Sequence, residues 1–283
     1  MIEQLPIGGM GLGAPVREFT VGRGKLIGLT IVGLAFAASG ALFVIGLLFF
    51  VQAPPGDQEM AIVFDAVFGL PVAVLVGSLA RRVRLAYGLR ALVYSGGMAL
   101  RRGGKTTIIR WEHAESVRVV TRQPVSPLAH LALFHFALPL LLLRRLQPER
   151  KYTVRLRDGT AVKIPPLLTH ADELGVIVER ETARVLLPGA LAACAIGTTV
   201  AFGAFSAGRD GLRKEDKLPL RKGTQSLPWG DFEDMELRDG KLHIYKIGRR
   251  RWAAVATDKV PNLYLLGLLA DDIHARAYVA MAQ

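Results

Sequence analysis

Arg110-Trp111-Glu112-His113-Ala114-Glu115-Ser116-Val117 and Pro228-Trp229-Gly230-Asp231-Phe232-Glu233-Asp234-Met235 are two versions of one element. Each places a Trp after a region of short strands and turns, with an acidic residue four positions on. Each is followed by a hairpin signal and a C-terminal helix. Two copies of a unit about 100 residues long point to duplicated domains and not to a solenoid, whose periods are about 20–50 residues.

The flanking sequence fills in both units. In the first, Leu92–Tyr94, Met98–Leu100 and Thr106–Ile109 read as strands separated by Gly96-Gly97 and Gly103-Gly104. Tyr152–Leu156 and Ala161–Ile164 flank Arg157-Asp158-Gly159. Asp-Gly accepts the positive φ of a tight turn, so a hairpin is expected there. A helix opens at Thr169 as N-cap, with Leu174, Ile177, Val178 and Val185 on one face. In the second unit, Phe202–Ser206, Leu212-Arg213 and Leu218–Leu220 read as strands. Glu236-Leu237 and Leu242–Tyr245 flank Arg238-Asp239-Gly240, and Trp252–Ala256 is another strand. The last helix starts near Pro261, with Leu265, Leu266, Leu269 and Ile273 apolar. Antiparallel strands closed by one helix define an α+β fold. Trp111 and Trp229 are expected as core anchors of the two units.

Ahead of these units the composition changes. Leu26 to Val51 is free of charge and would reach roughly 39 Å as a helix, more than the ~30 Å core of a bilayer. A second apolar run, Ala61 to Ala80, ends at Arg81 and Arg82. Basic residues flank both runs and are missing from the linker at 52–59. That asymmetry predicts a transmembrane helical hairpin with both termini cytoplasmic. Asp65, Gly69, Ala73 and Gly77 share one face of the second run and are candidate helix-packing residues. Asp65 reads either as a carboxylate at the outer headgroup edge or as part of an ion relay. Leu128 to Leu143 is short for a span and reads as an interfacial or core-packed insertion. Leu186 to Phe205 reads as the end of a soluble helix leading into a strand.

The expected domains are therefore a flexible N-terminal arm (1–24), a transmembrane hairpin (25–82), a first unit (83–197) with an apolar insertion at 124–148, and a second unit (198–283). The Trp–acidic element, the Asp-Gly hairpin and the terminal helix resemble bacterial pleckstrin-homology-like (PH-like) domains. With the apolar hairpin, the chain resembles a family of uncharacterised bacterial membrane proteins carrying such domains. Leu12-Gly13-Ala14-Pro15, Phe202-Gly203 and Val260-Pro261-Asn262 are further features of the resemblance. It implies a fold and a bacterial cell-membrane location, with no reaction and no catalytic residues.

The 283 residues carry a formal net charge of +12, which suggests an anionic neighbour. Beside an apolar anchor, lipid headgroups fit better than nucleic acid, since basic residues are interspersed with acids and no stacking platform stands out. Arg249, Arg250, Arg251 and Trp252 form the candidate lipid-binding patch; the alternative is a solvated turn between two strands. Cys194 is the only cysteine, so neither an intrachain disulfide nor a multi-cysteine metal site is available. The glycines of 8–13 lack the strand and helix of a dinucleotide loop. His130 and His135, five apart, do not share a helix face. No cofactor and no catalytic set is expected. The resulting expectation is a non-enzymatic membrane protein that presents tandem PH-like domains to lipid, to a protein partner or to a second copy. The alternative is a subunit of a transport or envelope-assembly complex.

Overall fold

The computed structural model describes residues 11–22, 88–121, 150–218 and 221–281, with single positions between 24 and 34 and between 77 and 86. The first repeat opens with β1 (Pro15–Thr20), β2 (Arg90–Tyr94), β3 (Gly97–Arg102) and β4 (Lys105–Arg110), an antiparallel sheet in that order. A 3-10 turn at Trp111–His113 leads into β5 (Ala114–Thr121), β6 (Arg150–Leu156) and β7 (Ala161–Lys163), a second antiparallel sheet. Helix α1 (Ala171–Ala195) follows.

The second repeat has the same plan. β8 (Val200–Phe202), β9 (Phe205–Ala207), β10 (Gly211–Leu218) and β11 (Arg221–Pro228) form the four-stranded sheet. The 3-10 turn is Trp229–Asp231. β12 (Phe232–Arg238), β13 (Lys241–Lys246) and β14 (Arg250–Ala256) form the three-stranded sheet, and α2 (Leu263–Met281) closes the chain. Sheet-rich layers with two helices are the α+β class that the sequence indicates.

The paired Trp elements do the same work in both repeats. Trp111 and Trp229 are 1% and 4% exposed. Their backbone N–H groups donate to Gly96 O at 3.1 Å and Asp210 O at 3.2 Å. The indole N–H of Trp229 donates to Gly208 O at 2.9 Å, and that of Trp111 approaches Tyr94 O at 3.4 Å. A buried indole with its one donor satisfied holds a sheet corner without a desolvation penalty. Just after each Trp turn the strand carries a bulge, between Ala114 and Ser116 in β5 and between Phe232 and Asp234 in β12. The repeats therefore superimpose residue by residue here, with Val117 and Met235 in the same place.

Several expectations are corrected. The arm expected at 1–24 contains β1, whose Phe19 is a core residue at 3% exposure. The first repeat thus starts at Pro15, and the residues between 20 and 90 fall inside it. In the second repeat that position is the tight turn at Gly203-Ala204. Likewise the apolar insertion of 124–148, outside the described residues, interrupts β5–β6, where the second repeat has Asp239-Gly240. Asp158-Gly159 joins β6 to β7 and so corresponds to the turn before Arg250, not to Asp239-Gly240. Six residues with one buried side chain are too short for the alternation that reveals a strand.

Among the described residues no helix is long and apolar enough to cross a membrane. This corrects the expected multi-pass placement in a bacterial cell membrane with both termini cytoplasmic. α1 and α2 cover the sheets and carry charged residues on their exposed faces: Glu173, Arg180 and Arg184 on α1, Asp271 and Arg276 on α2. The runs Leu26–Val51 and Ala61–Ala80 lie outside the described residues except for isolated positions.

α1 serves both repeats. Its first half, through Ala171, Leu174 and Val178, joins the first core. Its second half, through Ala183, Ala190 and Cys194, joins the second. The stretch from Leu186 to Phe205 is, as its Ala-rich and Gly-containing sequence suggests, a helix end running into β8.

Candidate functional site

The most built feature of the molecule is the place where the second repeat docks on the first. β5 is the outer strand of its sheet, so one row of its backbone groups faces away from β6. Asn262 meets that row just before α2. Its backbone N–H donates to Val117 O at 2.7 Å. Its Oδ1 accepts the Val117 N–H at 2.8 Å, and its Nδ2 donates to Glu115 O at 3.1 Å. One residue thus stands in for a paired strand. It does so at φ +55°, in the left-handed region that Asn tolerates better than most residues. Thr121 and Thr257 add a hydroxyl pair at 3.3 Å.

Tyr264 and Leu265 follow Asn262 into the space between β5 and α1. There they line a shallow junction with Val117, Glu179 and Ala183. Burial in this junction pushes the Glu179 carboxyl up to about 7, against a smaller downward pull from Arg150. The groove between β5 and α1 is therefore occupied, by the chain itself.

The matching groove of the second repeat lies between β12 and α2. β12 is also an outer strand. Among the described residues the Met235 N–H, equivalent to that of Val117, is held only by the side chain of the preceding Asp234, at 2.7 Å. Val117 and Val119 are 2% and 5% exposed; of their counterparts, Met235 is half-buried and Leu237 is 50% exposed. On the helix side, His274 stacks edge-on against Phe232 with ring centroids 5.8 Å apart. Its Nδ1 is enclosed and has no hydrogen-bond partner.

The candidate lipid-binding patch is partly tied down. Arg249, at φ +55°, donates its backbone N–H to Glu233 at 2.7 Å. Its guanidinium pairs with Glu233 at 3.4 Å and Asp234 at 4.0 Å. Trp252 lies on the second core, 6.0 Å from the Phe205 ring. Arg250 and Arg251 are exposed on β14. Of the candidate helix-packing residues, Asp65, Gly69 and Ala73 lie outside the described residues. Gly77 is an exposed helical position where an added Cβ would meet nothing within 4 Å.

Other sequence features have structural places. Leu12, in the Gly-rich segment, is 3% exposed against Tyr94 and Ala99. Cys194 is a buried free thiol whose ionisation burial pushes up. Asp158 accepts the Thr160 N–H at 2.8 Å, which lowers its pKa and fixes the hairpin turn. His130 and His135 lie outside the described residues. Among the described residues no three His, Cys, Asp or Glu side chains form a group that could hold a metal.

Residues 140–277 match a family of unknown function, DUF6585. The match takes in β6, β7, α1 and nearly all of the second repeat. It therefore includes Asn262 and the β12–α2 groove but not β5. No curated protein and no solved structure matches the chain.

Proposed function

We propose that the chain is a non-enzymatic binding protein built from two PH-like domains in tandem. The four-plus-three-stranded arrangement closed by one helix, present twice, supports the PH-like reading. The occupied β5–α1 groove carries the binding reading: this architecture takes up a turn from elsewhere along an outer strand, and among the described residues only one of its two copies has that place filled. A protein partner is favoured, because the apolar and backbone groups left open on β12 suit a polypeptide.

A second reading is kept for one observation. Arg250 and Arg251 are adjacent, exposed and suited to phosphate oxygens. Vesicle flotation with phosphatidylserine separates the two. On the protein-partner reading, the full chain and an Arg250→Ala, Arg251→Ala variant float to the same small extent at 0.15 M salt. Saturable flotation that the double variant loses would overturn it in favour of lipid headgroups.

A further inference from the structure

In the second repeat no described residue plugs the outer edge of β12 as Asn262 plugs that of β5. In the first repeat, Val117 hands both backbone groups to Asn262, and the adjoining apolar face is covered by Tyr264 and Leu265. In the second repeat, Met235 and Leu237 stand at the equivalent places without such a cover among the described residues. The outer edge of β12 and the enclosed, unpaired His274 Nδ1 remain. Open edge groups and half-buried apolar side chains on one strand are the ingredients of strand addition.

Charge says what kind of segment fits. β12 and its bulge carry Glu233, Asp234 and Glu236, and α2 adds Asp271 and Asp272. Three arginines offset part of this: Arg238 at the end of β12, beside Asp239 at 3.6 Å, Arg249 through Glu233 and Asp234, and Arg276 through Asp272 at 2.8 Å. The rim stays acidic on a chain whose net charge is +12. A second copy is a poor occupant. The element of the first repeat that matches the plug is the turn at His170, also left-handed at φ 56°, and it leads directly into Asp172 and Glu173. Docking it on β12 would bring acid against acid.

We infer that the β12–α2 groove binds a basic, extended segment of a partner protein, which adds an Asn-bearing turn along the edge at Met235 and Leu237. This rests on the reading of the second repeat as a binding unit. The partner's turn supplies the acceptor and donor that Asn262 supplies to Val117, and displaces the Asp234 carboxylate from the Met235 N–H. Its Lys or Arg residues then meet Glu236 and Asp271.

The test uses the full chain and a fluorescent peptide of sequence KKVPNLYLKK, which copies the plug between lysines. Fluorescence anisotropy should give saturable binding that weakens at least tenfold in Glu236→Lys and in Leu237→Lys. Met235→Pro removes the edge N–H at a site where an outer strand tolerates proline, and should weaken binding comparably. Exchanging the peptide's Asn for Ala should also cost tenfold. Circular dichroism confirms that each variant is folded. Absence of saturable binding, or binding unaffected by all three variants, overturns the groove assignment. So does self-association of the full chain that the same variants abolish, since the occupant would then be a second copy. None of these results removes the tandem binding-module reading. The protein-partner reading fails separately, if vesicle flotation is saturable and is lost in the Arg250→Ala, Arg251→Ala variant.

Discussion

Asn262 should be the residue whose loss most weakens the joint between the repeats, and the size of the effect follows from its bonds. Replacing it with Gly keeps the left-handed backbone at φ +55° and removes only the amide. The Val117 N–H then loses its partner at 2.8 Å in a partly buried place. An unsatisfied group there costs about 1–2 kcal/mol, and the more exposed bond to Glu115 O adds about 0.5 kcal/mol. The total is about 2 kcal/mol, or roughly 4–8 °C in Tm for a protein of this size. Asn262→Ala adds about 1 kcal/mol for forcing a Cβ into the left-handed region. The assay is guanidinium unfolding followed by tryptophan fluorescence, with Trp111 and Trp229 buried in the two cores. Stability should fall in the order Asn, Gly, Ala. A change below about 0.5 kcal/mol for both variants, or an Ala variant as stable as wild type, would refute the reasoning.

Other outcomes follow from the same geometry. Burial raises the folded pKa of Glu179 from 4.5 to about 7, so between those values the folded chain holds a proton that the unfolded chain has released. Stability should therefore be highest below pH 4.5 on this account and fall as pH rises to 7, by on the order of 1–3 kcal/mol, since the side chain is only half-buried. Urea titrations between pH 4.5 and 8 should show that slope in wild type and its loss in Glu179→Gln. Gly175→Ala should destabilise by about 1–3 kcal/mol despite better helix propensity, because an added Cβ would overlap the Tyr152 ring; thermal melts read this directly. Trp229→Phe should cost about 1–3 kcal/mol through the lost indole volume and the unpaired Gly208 O, again measured by chemical unfolding.

The repeat was legible because its anchors are chemically conspicuous. A Trp followed four residues on by an acid, and an Asp-Gly pair that needs positive φ (52° at Asp239, 71° at Gly240), stand out from any background. The assignment of Asp158-Gly159 and Asp239-Gly240 to the same hairpin failed because the turn chemistry is identical while the topological place differs. β1 was missed because one buried Phe19 in six residues gives no period. Most of the candidate site was not legible. The bonds of Asn262 to β5 join residues 145 and 147 positions apart, and no local pattern announces such a pairing. Val260-Pro261-Asn262 did stand out as a turn that opens a helix. Its second use, as a substitute strand, depends on the bulge at Glu115 lying opposite. The openness of β12 could be read only by comparing Leu237 with Val119 once both repeats were in register. The Arg249 patch shows the converse. The three arginines are obvious in the sequence, yet the bulge carboxylates of Glu233 and Asp234 that occupy the first of them are sixteen and fifteen residues upstream.

The outer edge of β5 is plugged and, among the described residues, that of β12 is open. Residue-resolved amide hydrogen exchange on the full chain compares them directly. We expect the Val117 amide, bonded to Asn262, to exchange at least a hundredfold more slowly than the Leu237 amide on the outer edge of β12, and Asn262→Gly to bring Val117 close to the Leu237 rate. Equal rates at the two sites in the wild-type chain would contradict that contrast.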